Sequence, residues 1–325
     1  MIKKTILVTG GTGLVGHAIQ SLVQSQSLDS KWIFLSSKDC DLRIKSQVSQ
    51  IFQLHKPTHL IHLAANVGGL YKNMRDPIRI FNDNILMNEN ILEIAHQFNI
   101  QKGIFILSSC VFPVKNIQYP MKEDDLHIGI AHPSNESYAY AKRMLELQCR
   151  NYNRIHGRHY ICLSPVNIYG PHDNFELKNS HVIPGIMHRL YLSILENKND
   201  FQMYGSGRPV RQFIYSEDLA KIILLVIEKE KLPHQHFICC GPGEISIKEL
   251  TFQICKLMGY KEEFIGRDKS KSDGCLKKTV DNSRLQEILP DNFQFTSMKV
   301  GLKKTIEWFL VNYKNCRGSV RTILN

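Results

Sequence analysis

The sequence predicts an α/β protein in which a doubly wound parallel sheet carries a smaller, discontinuous α/β lobe. Three observations lead there. Short apolar runs alternate with amphipathic segments of helix length from Thr5 to Leu163, the pattern of parallel strands joined by crossover helices. The first run ends in Gly10-Gly-Thr-Gly13-Leu-Val-Gly16, a glycine-spaced turn into a helix. Beyond Gly170 the alternation breaks into Pro171-His-Asp-Asn-Phe175 and shorter periodic pieces, which mark a second lobe.

In chain order, Thr5–Val8 is the first strand and Leu14–Leu28 has helical spacing. Trp32–Leu35 is the next strand, Ser46–Leu54 a helix and Thr58–Leu63 a third strand. Phe81–Phe98 is a long helix with Ile85, Met87, Ile91, Leu92, Ile94 and Ala95 mostly on one face, followed by a strand at Ile104–Leu107. A helix from Tyr138 to about Tyr152 precedes a strand at Tyr160–Leu163. Ser216–Glu228 is read as a helix returning to the first lobe, and His236–Cys240 as the last strand of its sheet. The expected division is 1–170 plus about 211–240 for a dinucleotide-binding lobe, with about 171–210 and 241–325 for a substrate lobe. There is no internal repeat, and Arg267–Lys278 is the one charged low-complexity patch.

The chain has 325 residues, 43% of them apolar, enough for a sizeable core. With 41 Lys+Arg against 30 Asp+Glu it attracts anions, compatible with a nucleotide or a phosphate-rich substrate. No zinc spacing, RNA-recognition signature or basic helix interleaved with aromatics supports nucleic acid as the partner. The nine cysteines form no Cys-x-x-Cys pair and read as reduced thiols. Met1-Ile-Lys-Lys runs straight into glycines, unlike a secretory signal, and no run reaches the length of a membrane span. A cytoplasmic protein without membrane attachment is expected. His172, Asp173 and Asn174 look superficially like metal ligands but read better as loop, so no metal is expected.

Glycines 10, 13 and 16 permit a sharp turn, close approach of a pyrophosphate to a helix N-terminus, and tight packing of helix on strand. Gly10, Thr12, Gly13, Leu14, Val15 and Gly16 are therefore candidate dinucleotide contacts. The second strand runs into Ser36-Ser37-Lys38-Asp39. Hydroxyls and a cation there favour the 2′-phosphate of NADP(H), whereas an Asp39 turned inward would favour NAD. Asp41 and Leu42 are placed beside the adenine, with Ala64 and Ala65 beneath the cofactor.

Tyr138 and Lys142 stand one helical turn apart, so the ammonium can support a phenol in proton transfer. Ser108, at the end of the fourth strand, can hydrogen-bond the carbonyl or hydroxyl being interconverted. Tyr-x-x-x-Lys alone occurs often by chance. Together with the glycine turn and a serine at a strand end, it reads as a hydride-transfer site.

On these residues the chain resembles, end to end, the extended short-chain dehydrogenase/reductase family, whose members have a Rossmann sheet and act mostly on nucleotide sugars. The family's catalytic serine stands four residues before an aromatic, here Phe112, which implies Ser108 for that role. Its dehydratases carry Asp and Glu at the next two positions; Ser109 and Cys110 stand here, which disfavours dehydration. The chain is more specifically similar to the bifunctional 3,5-epimerase/4-reductases of GDP-4-keto-6-deoxymannose. The likeness rests on Ala64-Ala-Asn-Val-Gly-Gly69, Ser108-Ser-Cys-Val-Phe-Pro113, Asn167-Ile-Tyr-Gly-Pro-His-Asp-Asn-Phe175, His181-Val-Ile-Pro184 and Arg211-Gln-Phe-Ile-Tyr215.

That resemblance implies Cys110 and His181 as the base and acid of epimerisation, beside Ser108, Tyr138 and Lys142 for reduction. It further implies Pro165, Asn167, Ile168 and His181 against NADP(H). Ser109, Asn167, Val182, Arg189, Tyr204, Arg211 and Lys278 are implied to face a GDP-sugar, with Arg211 the leading phosphate ligand. A homodimer through the helices Phe81–Phe98 and Tyr138–Tyr152 is also implied. The competing readings are a single-function nucleotide-sugar reductase or epimerase in which Cys110 only packs, and an NADP-binding regulatory protein without catalysis.

Overall fold

Twelve strands and ten α-helices make up the described part of the chain, residues 4–26, 30–115 and 117–319 of a computed structural model. In chain order the strands are β1 (Thr5–Thr9), β2 (Lys31–Leu35), β3 (His59–His62), β4 (Lys102–Ile106), β5 (Tyr160–Pro165), β6 (Asn167–Tyr169), β7 (Phe201–Tyr204), β8 (Val210–Arg211), β9 (Phe213–Tyr215), β10 (His236–Cys239), β11 (Ile245–Ser246) and β12 (Ile265–Asp268). The helices are α1 (Leu14–Gln26), α2 (Lys45–His55), α3 (Leu70–Arg75), α4 (Pro77–Gln97), α5 (Glu136–His156), α6 (Val182–Leu195), α7 (Ser216–Glu228), α8 (Ile247–Leu257), α9 (Ser283–Gln286) and α10 (Met298–Asn312).

Six strands form one parallel sheet in the order β2-β1-β3-β4-β5-β10. Its inner strands are buried on both faces, which is why they read as unbroken apolar runs rather than alternating ones. Helices α1 and α7 pack on one another, and α4 packs with α2 and α5. The chain leaves β1 toward β2 and returns to β3 on the other side of β1. That reversal opens a crevice at the carboxyl ends of β1 and β3, where ligands bind in sheets of this kind.

A buried polar chain fixes the crevice floor. His62 sits between Thr9 Oγ1 (2.8 Å) and Asn88 Oδ1 (3.1 Å), and the same Thr9 hydroxyl takes the Ala64 N–H at 3.3 Å. Burial pushes this imidazole down to about 3, so it is neutral and serves the scaffold.

The buried apolar residues fall into two large cores, besides a small cluster of Ile80, Cys110, Ala131, Tyr138 and Ala139. One surrounds the sheet and includes Leu7, Ile61, Phe105, Leu163 and Phe237. The other gathers Phe175, Met187, Leu190, Ile254, Ile306 and Phe309 under the second lobe. Segments cross between them: Val280, Leu285 and Ile288 pack on the sheet core, while Tyr169, Phe213 and Tyr215 belong to the second core.

Helix α7 and strand β10 lie where the sequence puts them, and other ends differ from the reading by a few residues. Helix α3 was not anticipated: six residues are too few to show a period. Leu28, Met1–Lys3 and residues 320–325 lie outside the described residues. Among the described residues no helix is long and apolar enough to cross a membrane.

Candidate active site

A cleft of about 730 Å³ runs from the β1–β3 crevice to the end of β4. Gly10, Thr12, Gly13, Leu14, Val15 and Gly16 line it, with Ser37, Asp41, Leu42, Ala64 and Ala65 further along. Pro165, Asn167, Ile168, Tyr138, Lys142 and His181 close its far end. The turn tolerates no side chain at Gly16: a Cβ there would meet the Gly11 carbonyl oxygen at 2.2 Å, backbone against backbone. Gly16→Ala is therefore expected to cost about 1–3 kcal/mol of stability and to weaken NADPH binding, read by thermal melting and NADPH fluorescence.

Lys38 is the exception among the expected cofactor residues: it is exposed and does not line the cleft. The Asp39 carboxylate accepts from the Ser36 N–H (2.7 Å) and hydroxyl (2.6 Å), closing a turn that leaves Lys38 outside. Asp39 is thereby spent on its own turn and does not reach inward for a ribose. The lining cation here is Arg43, missed in the sequence although it adjoins Asp41-Leu42, and bonded to Asp41 and Asp83.

At the other end, β4 stops at Ile106 and a single 3-10 turn spans Ser109–Val111. The Ser108 hydroxyl caps it, accepting the Cys110 N–H at 3.3 Å. Arg143, from α5, fastens the turn by donating to the Val111 carbonyl (2.7 Å) and to the Gly129 carbonyl (2.7 Å). Lys142 donates to the Ile106 carbonyl at 2.7 Å, and its ammonium lies 5.8 Å from the centre of the Tyr138 ring. Burial pushes Lys142 down to about 8, and burial followed by the Cys110 thiol raises the Tyr138 phenol well above its usual range. The phenol is protonated, the form a proton donor needs.

A second pocket, about 270 Å³, adjoins the cleft, and Ser108, Ser109, Cys110, Tyr138, Asn167 and His181 line it. Val182, Arg189, Tyr204, Arg211 and Lys278 line the same pocket. His181 stands just before α6. It is brought there by a close approach of two backbones: the Gly69 N–H donates to Asn179 O at 2.9 Å, and a Cβ on Gly69 would meet Ser180 O at 2.0 Å. Burial raises the Cys110 thiol, opposed by Lys278 first, then the Ser108 hydrogen bond, Lys142 and Arg143. Burial lowers His181, helped by Lys72 and Arg317.

Arg189 lies over the Tyr204 ring, 3.7 Å from its centre, and donates to Gln202 O. Tyr71 meets the same ring edge-on at 6.3 Å. Tyr71, Asp273 and Cys275 also line this pocket without having been expected, because no motif marks them. His172 is engaged elsewhere, stacked on His17 at 4.0 Å and tilted against Trp308 at 4.4 Å. No His/Cys/Asp/Glu cluster fit for a metal occurs among the described residues.

A glycine-turned cleft leading to Ser, Tyr and Lys, with an added thiol and imidazole, defines a nucleotide-dependent short-chain dehydrogenase/reductase. The chain belongs to the NAD dependent epimerase/dehydratase family, which it matches over residues 6–241. Among individual relatives, it is 42% identical to the GDP-L-fucose synthase of Dictyostelium discoideum, over 97% of this chain and 98% of that one. It is 35% identical to the GDP-L-colitose synthase of Yersinia pseudotuberculosis, over 95% and 99% respectively. Its fold superposes on a crystal structure of a GDP-L-fucose synthetase from Naegleria fowleri bound to NADP with a TM-score of 0.88, at 40% identity over 98% of this chain and 96% of that one.

Proposed function

We infer that this chain performs the reaction of the GDP-L-fucose synthases it resembles: epimerisation of GDP-4-keto-6-deoxy-D-mannose at C3 and C5, then NADPH-dependent reduction at C4 to GDP-L-fucose. One observation carries the reading. Cys110 and His181 line the same small pocket as Ser108 and Tyr138, so an acid/base pair and the groups that hold a ketone share one chamber.

The protons at C3 and C5 are α to the ketone and become acidic when the enolate oxygen is stabilised. Ser108 and Tyr138 donate hydrogen bonds to the C4 oxygen. Cys110, as thiolate, takes the α proton, and His181 returns one to the opposite face, inverting the centre. The glycine turn, the Ala64-Ala65 floor and the Ser36-Ser37 turn with Arg43 beyond it fit NADP(H). When bound, NADPH supplies the hydride for C4. Tyr138 then gives its proton to the C4 oxygen, while Lys142 stays fastened to β4 behind it. Arg211 and Lys278 supply positive charge for the GDP diphosphate.

The test is isotopic. Incubation with GDP-4-keto-6-deoxy-D-mannose in D2O without NADPH should place deuterium at C3 and C5. Adding NADPH should then consume one equivalent per GDP-L-fucose formed. NADPH oxidation without exchange would leave a plain 4-reductase.

The division into a cofactor lobe (1–170 with about 211–240) and a substrate lobe is supported by the two large cores, apart from the segments that cross between them. A homodimer is supported by exposed apolar residues on α4 and α5, among them Ile78, Phe81, Leu86, Met144 and Ile155. Light scattering giving a monomer's mass would refute it. Nine free cysteines suit the reducing cytoplasm.

A further inference from the structure

The glycine turn offers a pyrophosphate backbone N–H groups and the start of α1, together worth about half an elementary charge. A dinucleotide's pyrophosphate carries two negative charges. The cations along the cleft are mostly committed: Arg43 to Asp41 and Asp83, Arg79 to Asp83, Lys142 to the Ile106 carbonyl. Arg317 also lines this cleft, and among the described residues it has no acidic partner within ion-pair distance. Lys72, beside it in the lining, donates only to neutral oxygens, Asn66 Oδ1 and Val67 O.

Arg317 is held in place by its backbone. The Phe175 N–H donates to the Arg317 carbonyl at 2.9 Å, and Cys316 before it is buried. Gly318 after it turns with φ +93°, so close to Glu176 that a Cβ would meet its N at 2.1 Å. The segment is thus seated on the turn 171–176, whose His172 stacks on His17 in the first helical turns of α1. The same turn carries Asp173, 4% exposed, whose Oδ2 has no partner while Oδ1 accepts from Asn174 N. Asp173 and His181 both feel the Arg317 charge.

We infer that Arg317 is a phosphate anchor of the cleft, gripping the pyrophosphate of the bound dinucleotide from the wall that the turn 171–176 and the segment after α10 build. Arg317 lines the cofactor cleft and not the sugar pocket, which assigns it to the cofactor rather than to the GDP diphosphate. The inference rests on the NADP(H) reading above.

Arg317→Gln should raise the Kd of both NADPH and NADH about tenfold, the loss of one charged hydrogen-bonding group, and leave the Kd of GDP within about twofold. Arg317→Lys should recover part of the loss, since it keeps the charge but not the fork. Fluorescence titration gives the first two constants and calorimetry the third, with thermal melting to verify the fold. Unchanged NADPH affinity in Arg317→Gln overturns the anchor while leaving the cofactor reading intact; an unmutated protein that binds no NADPH overturns the cofactor reading itself. Loss confined to NADPH moves the contact to the 2′-phosphate, and loss confined to GDP moves it to the substrate; either result overturns the assignment. If Arg317→Gln melts early, Arg317→Met, which keeps the aliphatic stem without the charge, with normal melting and full NADPH affinity also refutes it.

Discussion

Cys110→Ser should lower deuterium incorporation at C3 and C5 by about 10²–10⁴-fold, the usual worth of a positioned base, and leave the Kd for NADPH unchanged. The side chain is nearly isosteric and lies in a turn held by Ser108 and Arg143, so the fold should survive. A hydroxyl is far less acidic than a thiol, so the same geometry loses its base. Burial holds the thiol above its usual range and the His181 imidazole below its own. In the ligand-free site near neutral pH both are therefore uncharged, and the productive thiolate–imidazolium form is a minor one. Below the His181 pKa the thiolate is missing; above the Cys110 pKa the imidazolium is missing. The exchange rate should thus be level across neutrality, with an acid limb below the ordinary imidazole range and an alkaline limb above the ordinary thiol range. Exchange that persists undiminished in Cys110→Ser would make the thiol a packing residue and hand the proton abstraction to another group.

Lys278 sharpens that expectation. In the sequence it closes the lysine-rich stretch from Arg267, where a solvated residue and a substrate contact read equally well. In the fold it is the largest of the positive influences on Cys110. Nothing local in the sequence carries this, because the loop that brings Lys278 to the pocket is far in the chain from the turn that holds Cys110. Lys38 and Arg43 teach the converse: residue type located the adenosine end of the cleft, but a side-chain bond from Asp39 to Ser36 decides which cation faces inward. The sheet was readable because strands buried on both faces write continuous apolar runs, and the glycine turn because backbone contact excludes every side chain at Gly16. Helix α3 and Arg317 left no trace, the one too short for a period and the other a single arginine in a polar tail.

Tyr138→Phe should separate the two half-reactions. Reduction at C4 needs a proton at the new alkoxide, and the phenol, raised by burial, holds one throughout the neutral range. Without it, kcat for NADPH oxidation should fall about 10²–10⁴-fold. Deuterium exchange should fall less, since Ser108 still hydrogen-bonds the C4 oxygen during enolisation and Cys110 and His181 are untouched. The pH dependence of reduction reports on Lys142 rather than on the phenol. Burial lowers this ammonium to about 8, so it is charged below that pH and loses its charge as pH rises through it. Reduction in the unmutated enzyme should accordingly be level in acid and fall above about 8, and Lys142→Met should be uniformly slow with that limb gone. Were Tyr138→Phe to reduce the keto-sugar at the normal rate, the proton would have to come from Ser108 or solvent, and α5 would serve only to brace the turn that carries Cys110.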